Sequence, residues 1–329
     1  MHMIPPNILA HRRPRRAKDD RGDAYLLASL LRTGDPDIRL IVKYSDIVQH
    51  LRQLASAYDM VLAQQRQMGN RLVHVLRKYF PAVLQVFSVP TSLVCLAFLE
   101  AYTTPEAARQ LTVADFEAFL RKQKYRYVAQ VPRMHALLQT PAPLANVTAG
   151  LVTTVHILVP LLRALHKERT QLTKQMTKVF NTHPDAAMWR SIPGAGGPLT
   201  GARLLAWIGD DRTRFPSAQI LQTTAGTAPV TRRSGKSQSV EFRRACSHPL
   251  RKTADDLARQ SIKHSGWAKA YFQDQVARGH ARPRAYRALG NRWMRIIWTL
   301  WQSSSLYDEE KHVANRARKG APAALKAVA

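Results

Sequence analysis

"SDIVQHLRQLASAYDMVLAQQRQMGNRLVHVLRKYFP", residues 45–81, decides what kind of molecule this is. Apolar or semi-apolar side chains recur at Ile47, Leu51, Leu54, Tyr58, Val61, Met68, Leu72, Val75 and Tyr79. Alternating steps of four and three put all of them on one seam of one continuous helix, interrupted only by Gln65. Ser45 is placed to cap its start and Pro81 to end it. A second seam carries Leu158, Leu162, Leu165, Leu172, Met176 and Val179, with Arg169 at the position that breaks it. Two such coiled-coil helices pair within one chain or between copies, and the pattern leaves both open. Between them, Pro90, Pro105, Pro132 and the "TPAP" turn at 140–143 divide 82–148 into short helices. The fold class that follows is mostly α.

Composition narrows the function. The chain has 329 residues with 45% apolar content, enough for more than one domain and a sizeable core. Lys and Arg total 50 against 22 Asp and Glu, a formal charge of +28 that points to a polyanionic partner, nucleic acid first. The basic residues are spread over several segments and do not gather beside a hydrophobic anchor. The longest uninterrupted apolar run, "LVCLAFL" at 93–99, is too short to span a bilayer, so no membrane partner is expected. Two cysteines, Cys95 and Cys246, exclude a disulfide framework and a paired-cysteine metal site, and a cytoplasmic location fits.

Three segments carry candidate chemistry. In "RRAKDDRGDAYLLASLLR", 15–32, the acids stand just ahead of an apolar helix, where capping is the plain reading. Asp20 and Asp23, three apart, also share a helical face on which two carboxylates can meet a divalent cation. In "SIPGAGGPLTGARLLAWIGD", 191–210, a turn with Gly194, Gly196 and Gly197 precedes a helix, like a helix-hairpin-helix. Backbone amides in such a turn bind phosphate, and packing is an equal reading. From 232 to 252 the basic residues Arg232, Arg233, Lys236, Arg243, Arg244, Arg251 and Lys252 face a single acid, Glu241, and surround Ser234 in what reads as a loop. Arg278, Arg282, Arg284, Arg287, Arg292 and Arg295 then follow with no acid among them, which implies a phosphate-facing surface. The aromatics between 267 and 301 have the helical spacing of a core. The end from residue 304 reads as a disordered basic tail.

Taken in order, "KDDRGDA", "YFPAVLQVF", "IPGAGGPLTGARLLAWIGD", "FPSAQILQTTAGTAPVTRRSGKS" and the stretch from "HPLRKTADD" to "IIWTLW" resemble the transposases of insertion-sequence family one-ten. These are bridge-RNA-guided DEDD transposases. The resemblance implies a remnant of a resolvase-like, RNase H-fold DEDD domain at 1–43, coiled-coil helices with a small helical insert at 44–185, and an all-α transposase domain at 186–303, with 304–329 as the tail. It implies Asp20 and Asp23 as the last two acids of a Mg²⁺-holding quartet and Ser234 as the nucleophile that cuts and rejoins DNA. The first Asp and the Glu of that quartet would lie upstream of Met1, so the chain reads as N-terminally truncated. The partners implied are DNA, a structured guide RNA and further copies of the chain in a dimer or tetramer. The candidate nucleic-acid contacts are Gly194, Gly196, Gly197, Arg232, Arg233, Lys236, Arg243, Arg244, Arg251, Lys252, Arg284, Arg287 and Arg292. The competing function is a catalytically inactive copy that only binds nucleic acid.

Overall fold

The computed structural model describes residues 2–3, 19–33, 39–40, 44–140, 149–234 and 237–318. It is mostly α, as the periodicity predicts. Near the N-terminus, β1 (His2–Met3) pairs antiparallel with β2 (Arg39–Leu40), His2 opposite Leu40. Between them lies α1 (Asp20–Arg32), which buries only Leu30. The rest of the expected RNase H remnant, 1, 4–18, 34–38 and 41–43, lies outside the described residues.

Helix α2 (Asp46–Tyr79) starts where expected, the Ser45 hydroxyl accepting from the Val48 amide at 3.3 Å, and ends before Pro81. Asp46 in its first turn and Arg77 and Lys78 in its last complement the helix dipole. After α3 (Ala82–Val86), α4 (Leu93–Ala101), α5 (Pro105–Arg109), α6 (Val113–Lys122) and α7 (Val131–Leu138), the second long helix, α8 (Ala149–Asn181), returns along α2. The "TPAP" turn falls mostly outside the described residues. The pair is antiparallel and within one chain. Val48, Leu51 and Ala55 of α2 share a core with Met176 and Phe180 of α8, whereas Leu72, Val75 and Leu76 share another with Val155, Leu158 and Leu162. The buried stripe is wider than a strict seam: Val48 and Ala55 are buried beside the half-buried Ile47 and Leu54.

The two residues that interrupt the seams meet each other. Arg169 donates to Gln65 Oε1 at 3.3 Å, and Gln65 is buried. This polar contact lies at the junction of the two cores, Tyr58 belonging to one and Leu72 to the other. A register slip would leave the buried Gln65 carbonyl without its donor, so the contact favours this alignment of the pair.

The insert core is aromatic. Phe98 lies 5.3 to 6.5 Å from the rings of Phe80, Phe87, Tyr102, Phe116 and Phe119. Cys95 is buried there, and burial pushes its thiol up to about 12. Helix α8 is long and apolar enough, by length and composition, to cross a membrane. The sequence reading missed this because it counted only uninterrupted apolar runs, and α8 intersperses Thr and His. Its Val155, Leu158, Val159 and Leu162 are buried in the insert core.

The C-terminal core gathers α9 (Ala186–Ser191), α10 (Pro198–Ile208), α11 (Ala218–Thr224), α12 (His248–Ser261), α13 (Gly266–Ala277) and α14 (Arg282–Gln302) around Trp189, Trp293 and Trp301. The aromatics expected to form core do so: Trp267, Phe272, Trp293, Ile297 and Trp301 are buried, and Tyr271, Tyr286 and Trp298 pack against them. Residues 304–318, expected to be disordered, are docked and end in α15 (Glu309–Arg318). The Tyr307 amide donates to Ser191 Oγ at 2.9 Å, its hydroxyl accepts from Trp267 Nε1 at 2.6 Å, and Glu309 accepts from the Gly266 amide at 2.8 Å. Composition hid this because a few anchors in a charged segment suffice to hold it. Residues 319–329 lie outside the described residues.

Candidate nucleic-acid interface

Between α11 and α12 the domain expected to be all α instead carries a two-stranded hairpin, β3 (Val230–Ser234) and β4 (Ser237–Glu241), with Ser234 opposite Ser237. Ser234, expected in a loop, is the last residue of β3, exposed at the tip. The two strands run up to the serine, separated in sequence by two residues, Gly235 and Lys236. Both lie outside the described residues. Arg232 and Arg233 are strand residues opposite Ser239 and Gln238.

At the root of the hairpin lies a cleft of about 570 Å³, which brings together basic residues far apart in sequence. Arg243 enters from the segment after β4, and Arg284, Arg287, Arg292 and Arg295 from α14. Phe242 is flanked by two cations, Arg287 at 4.2 Å and Arg251 at 4.4 Å from its ring centre. Burial first, and then the positive field of Arg251 and Arg284, push the Arg287 guanidinium down from its ordinary value against the pull of Asp255. Such a field attracts phosphate, and the exposed guanidinium planes of Arg284, Arg292 and Arg295 offer surfaces on which bases stack.

Not every expected contact faces outward. Lys252 Nζ is bonded to Asp59 of α2 at 3.0 Å. Asp59 also accepts from Arg203 at 3.0 Å, and Arg203 reaches Asp256 at 2.8 Å while only 3% exposed. The charge of Lys252 thus serves to hold α12 and α10 on α2. Arg251 donates to the carbonyls of Arg243 and Arg244, and Arg243 to that of Ala228 at 3.2 Å, so these two shape the hairpin root. Gly226, at φ 65°, lets Arg251 lie there, since a Cβ would stand 2.7 Å from its guanidinium. Arg244 is exposed. Phe242, Asp59 and Arg203 escaped the sequence reading. Only Arg203 carried a signal, as the lone charge in the apolar "LTGARLLAWI".

The glycine turn lies between α9 and α10 and borders a cleft of about 440 Å³ with Arg190, Thr200 and His264. Gly194, at φ 84°, has a packing reason of its own: a Cβ would sit 2.7 Å from the Ser261 amide nitrogen of α12. Gly197 caps α10 through its backbone only, with Pro198 in the first turn. Asp20 and Asp23 occupy the first turn of α1, and the N-cap Asp19 accepts from the Gly22 amide at 2.9 Å. Their hard oxygens suit a divalent cation in type. Among the described residues, however, no group of three His, Cys, Asp or Glu side chains gathers to hold a metal.

With this geometry in place, comparison with known proteins decides the family. The family described as "Transposase IS116/IS110/IS902 family" matches residues 186–273, and a DEDD-type transposase family matches 1–81. The chain is 30% identical over 312 residues to the mini-circle candidate transposase for IS117 of Streptomyces coelicolor, covering 91% of this chain and 74% of that protein. The chain belongs to the IS110/IS116/IS902 family of transposases. It is also 28% identical over 294 residues to an uncharacterized 42 kDa protein of insertion element IS900 from Mycobacterium paratuberculosis, covering 88% of this chain and 73% of that one. An uncharacterized 43.6 kDa protein of insertion element IS110 from Streptomyces coelicolor matches at 25% over 298 residues, 90% of this chain and 73% of the relative. The two family segments are joined in one core. Asp59 of the first pairs with Arg203 and Lys252 of the second, and Arg52 donates to the Ala206 carbonyl at 3.2 Å. Being a transposase of an insertion-sequence family, the chain acts in DNA transposition, and DEDD-type domains work with divalent metal.

Proposed function

We propose that this transposase cuts and rejoins DNA through Ser234, with the arginine cleft holding nucleic acid beneath the hairpin. The observation that carries the reading is the placement of an exposed serine at the tip of a hairpin whose root opens into five convergent arginines. The Ser234 oxygen displaces one DNA oxygen at phosphorus. A phosphoserine link replaces the phosphodiester bond, and the hydroxyl proton leaves with the displaced DNA oxygen. Arg284, Arg287, Arg292 and Arg295 hold the strand and offset the charge on the phosphate. Asp20 and Asp23 would supply carboxylates to Mg²⁺, which when bound neutralises charge at the scissile phosphate. A structured guide RNA and assembly of copies into a dimer or tetramer complete the reading, the formal charge of +28 supporting polyanionic partners.

The test is a denaturing gel of labelled target DNA incubated with the full chain, guide RNA and Mg²⁺, beside a filter-binding assay. A covalent protein–DNA adduct that disappears in Ser234→Ala, with DNA affinity within about twofold because many phosphate contacts remain, is expected. An adduct surviving in Ser234→Ala overturns the assignment and moves it to Ser237, opposite in the hairpin, or to Ser239. Binding without any adduct identifies a copy that holds nucleic acid and does not cut it.

A further inference from the structure

Arg292 and Arg295 line the basic cleft and also a second one, of about 490 Å³, that nothing above assigns. The walls of the second cleft are of another kind. Trp267 of α13, Leu300 of α14, and Leu306 and Tyr307 of the docked segment make them mainly apolar, Asp308 and Lys311 add one charge of each sign, and the two arginines stand at the side shared with the basic cleft. The wall contributed by 304–318 is held firmly, since Tyr307 is tied to Ser191 and Trp267 and Glu309 caps α13. Among the described residues neither Arg292 nor Arg295 makes an ion pair with a carboxylate. The site therefore offers an apolar slot with cations at its entrance, within the ordinary range of about 300–1,000 Å³ for ligand pockets.

The ligand this suits is flat and largely apolar on its faces, with anions attached on a flexible chain. An apolar side chain from a protein partner would leave the two cations unused. Because the same cations continue into a track with Arg284 and Arg287, the anions belong to a polymer of phosphates. We propose that the second cleft receives one unstacked nucleobase of a nucleic-acid strand whose backbone runs through the basic cleft, with Arg292 and Arg295 gripping the phosphates beside it. The proposal rests on the reading of the basic cleft as the nucleic-acid surface. It adds that the protein holds a strand with one base turned out, which a closed duplex does not present.

The experiment uses the full chain with single-stranded DNA and RNA oligonucleotides carrying 5-iodouracil, and with a fully paired DNA duplex. After irradiation, mass spectrometry locates the cross-link, expected on Tyr307, and comparison of the DNA and RNA arms tells which strand supplies the base. Thr299→Trp fills the slot from an exposed position of α14 that lines it. Leu306→Glu, at a residue 60% exposed and so safe for folding, places an anion in its wall. Each is expected to weaken single-strand binding about tenfold, the loss of one stacked base, and to leave duplex affinity within about twofold. Cross-links confined to Phe242 or Tyr271, or unchanged single-strand affinity in both variants, overturn the proposal and leave the basic cleft standing. A wild-type chain that binds neither strand nor duplex overturns both.

Discussion

Around Phe98 five aromatic rings close on a sixth, whereas at the other end of the same two helices Trp293 and its neighbours share their core with the buried Arg203 and the carboxylates that hold it. One end is held mainly by apolar area, with the Tyr79 hydroxyl donating to the Thr103 carbonyl at 3.0 Å and Arg163 paired with Glu100 at its margin. The other spends much of its charge internally before any is left to face a ligand. The lesson is that a basic residue is not always a surface cation: Lys252, Arg251 and Arg203 are occupied within the chain, whereas Arg284, Arg287, Arg292 and Arg295 of α14 line an open cleft.

The two ends can be separated by spectroscopy, because all six tryptophans, Trp189, Trp207, Trp267, Trp293, Trp298 and Trp301, lie in the C-terminal part. Tryptophan fluorescence reports that core, and far-UV circular dichroism reports both. The largest effect is expected from Phe98→Ala, which should cost about 3–5 kcal/mol as a cavity opens among the rings. In urea the dichroism transition should then move ahead of the fluorescence transition. Coincident transitions would show that the Gln65–Arg169 layer couples the cores into one cooperative unit.

Arg203→Ala should act at the other end, destabilising by about 3 kcal/mol because Asp59 and Asp256 lose a buried partner. The fluorescence transition should carry this loss. Arg203→Met should cost less, since Asp59 keeps Lys252 at 3.0 Å and the methionine fills the space. Equal losses for the two variants would mean that the charge itself, more than the volume, holds α10 against α2.

The helical architecture was legible because seams of four and three are long-range periodic signals, and Ser45 and Pro81 mark the ends of α2 by local chemistry. That Gln65 and Arg169 would meet was not legible, although both stood out as interruptions, since the sequence leaves open which helix pairs with which and in what register. The candidate site was legible as composition and not as geometry. The arginines of α14 and Arg243 read as separate basic runs, and only the fold, which sets Pro229 and 240–243 beside α14, puts them around one cleft. Lys252 misled for the same reason: its partner Asp59 lies 193 positions away.

That contrast gives a smaller, sharper test on binding. Arg292→Ala should weaken DNA binding by about 1 kcal/mol and lower the salt dependence of log K by about 0.9 for one lost phosphate contact. Lys252→Ala should leave that slope unchanged and lower stability instead. Titrations of both variants at several salt concentrations check this, and a reduced slope for Lys252→Ala would place its ammonium on the nucleic acid.

The smallest effect concerns His183, at the joint between α8 and α9. Its ring is buried, Nδ1 accepts from the Asp185 amide at 3.1 Å, and Nε2 stands 4.0 Å from Asp210. The carboxylates of Asp185 and Asp210 favour a charged ring, but burial outweighs them and holds the folded histidine below its ordinary value of 6.5. An accepting Nδ1 agrees with this, because protonation there would set an N–H against the Asp185 N–H. Below 6.5 the unfolded chain therefore binds the proton first. Stability is full above that pH and is lost as the pH falls from it toward the lower folded value. Urea midpoints by tryptophan fluorescence between pH about 8 and about 5 should fall on acidification. His183→Asn, which keeps an acceptor for the amide and does not titrate, should flatten that part of the curve. A wild-type chain that gains stability on acidification would mean that Asp210 holds a charged His183, and that the joint is an ion pair after all.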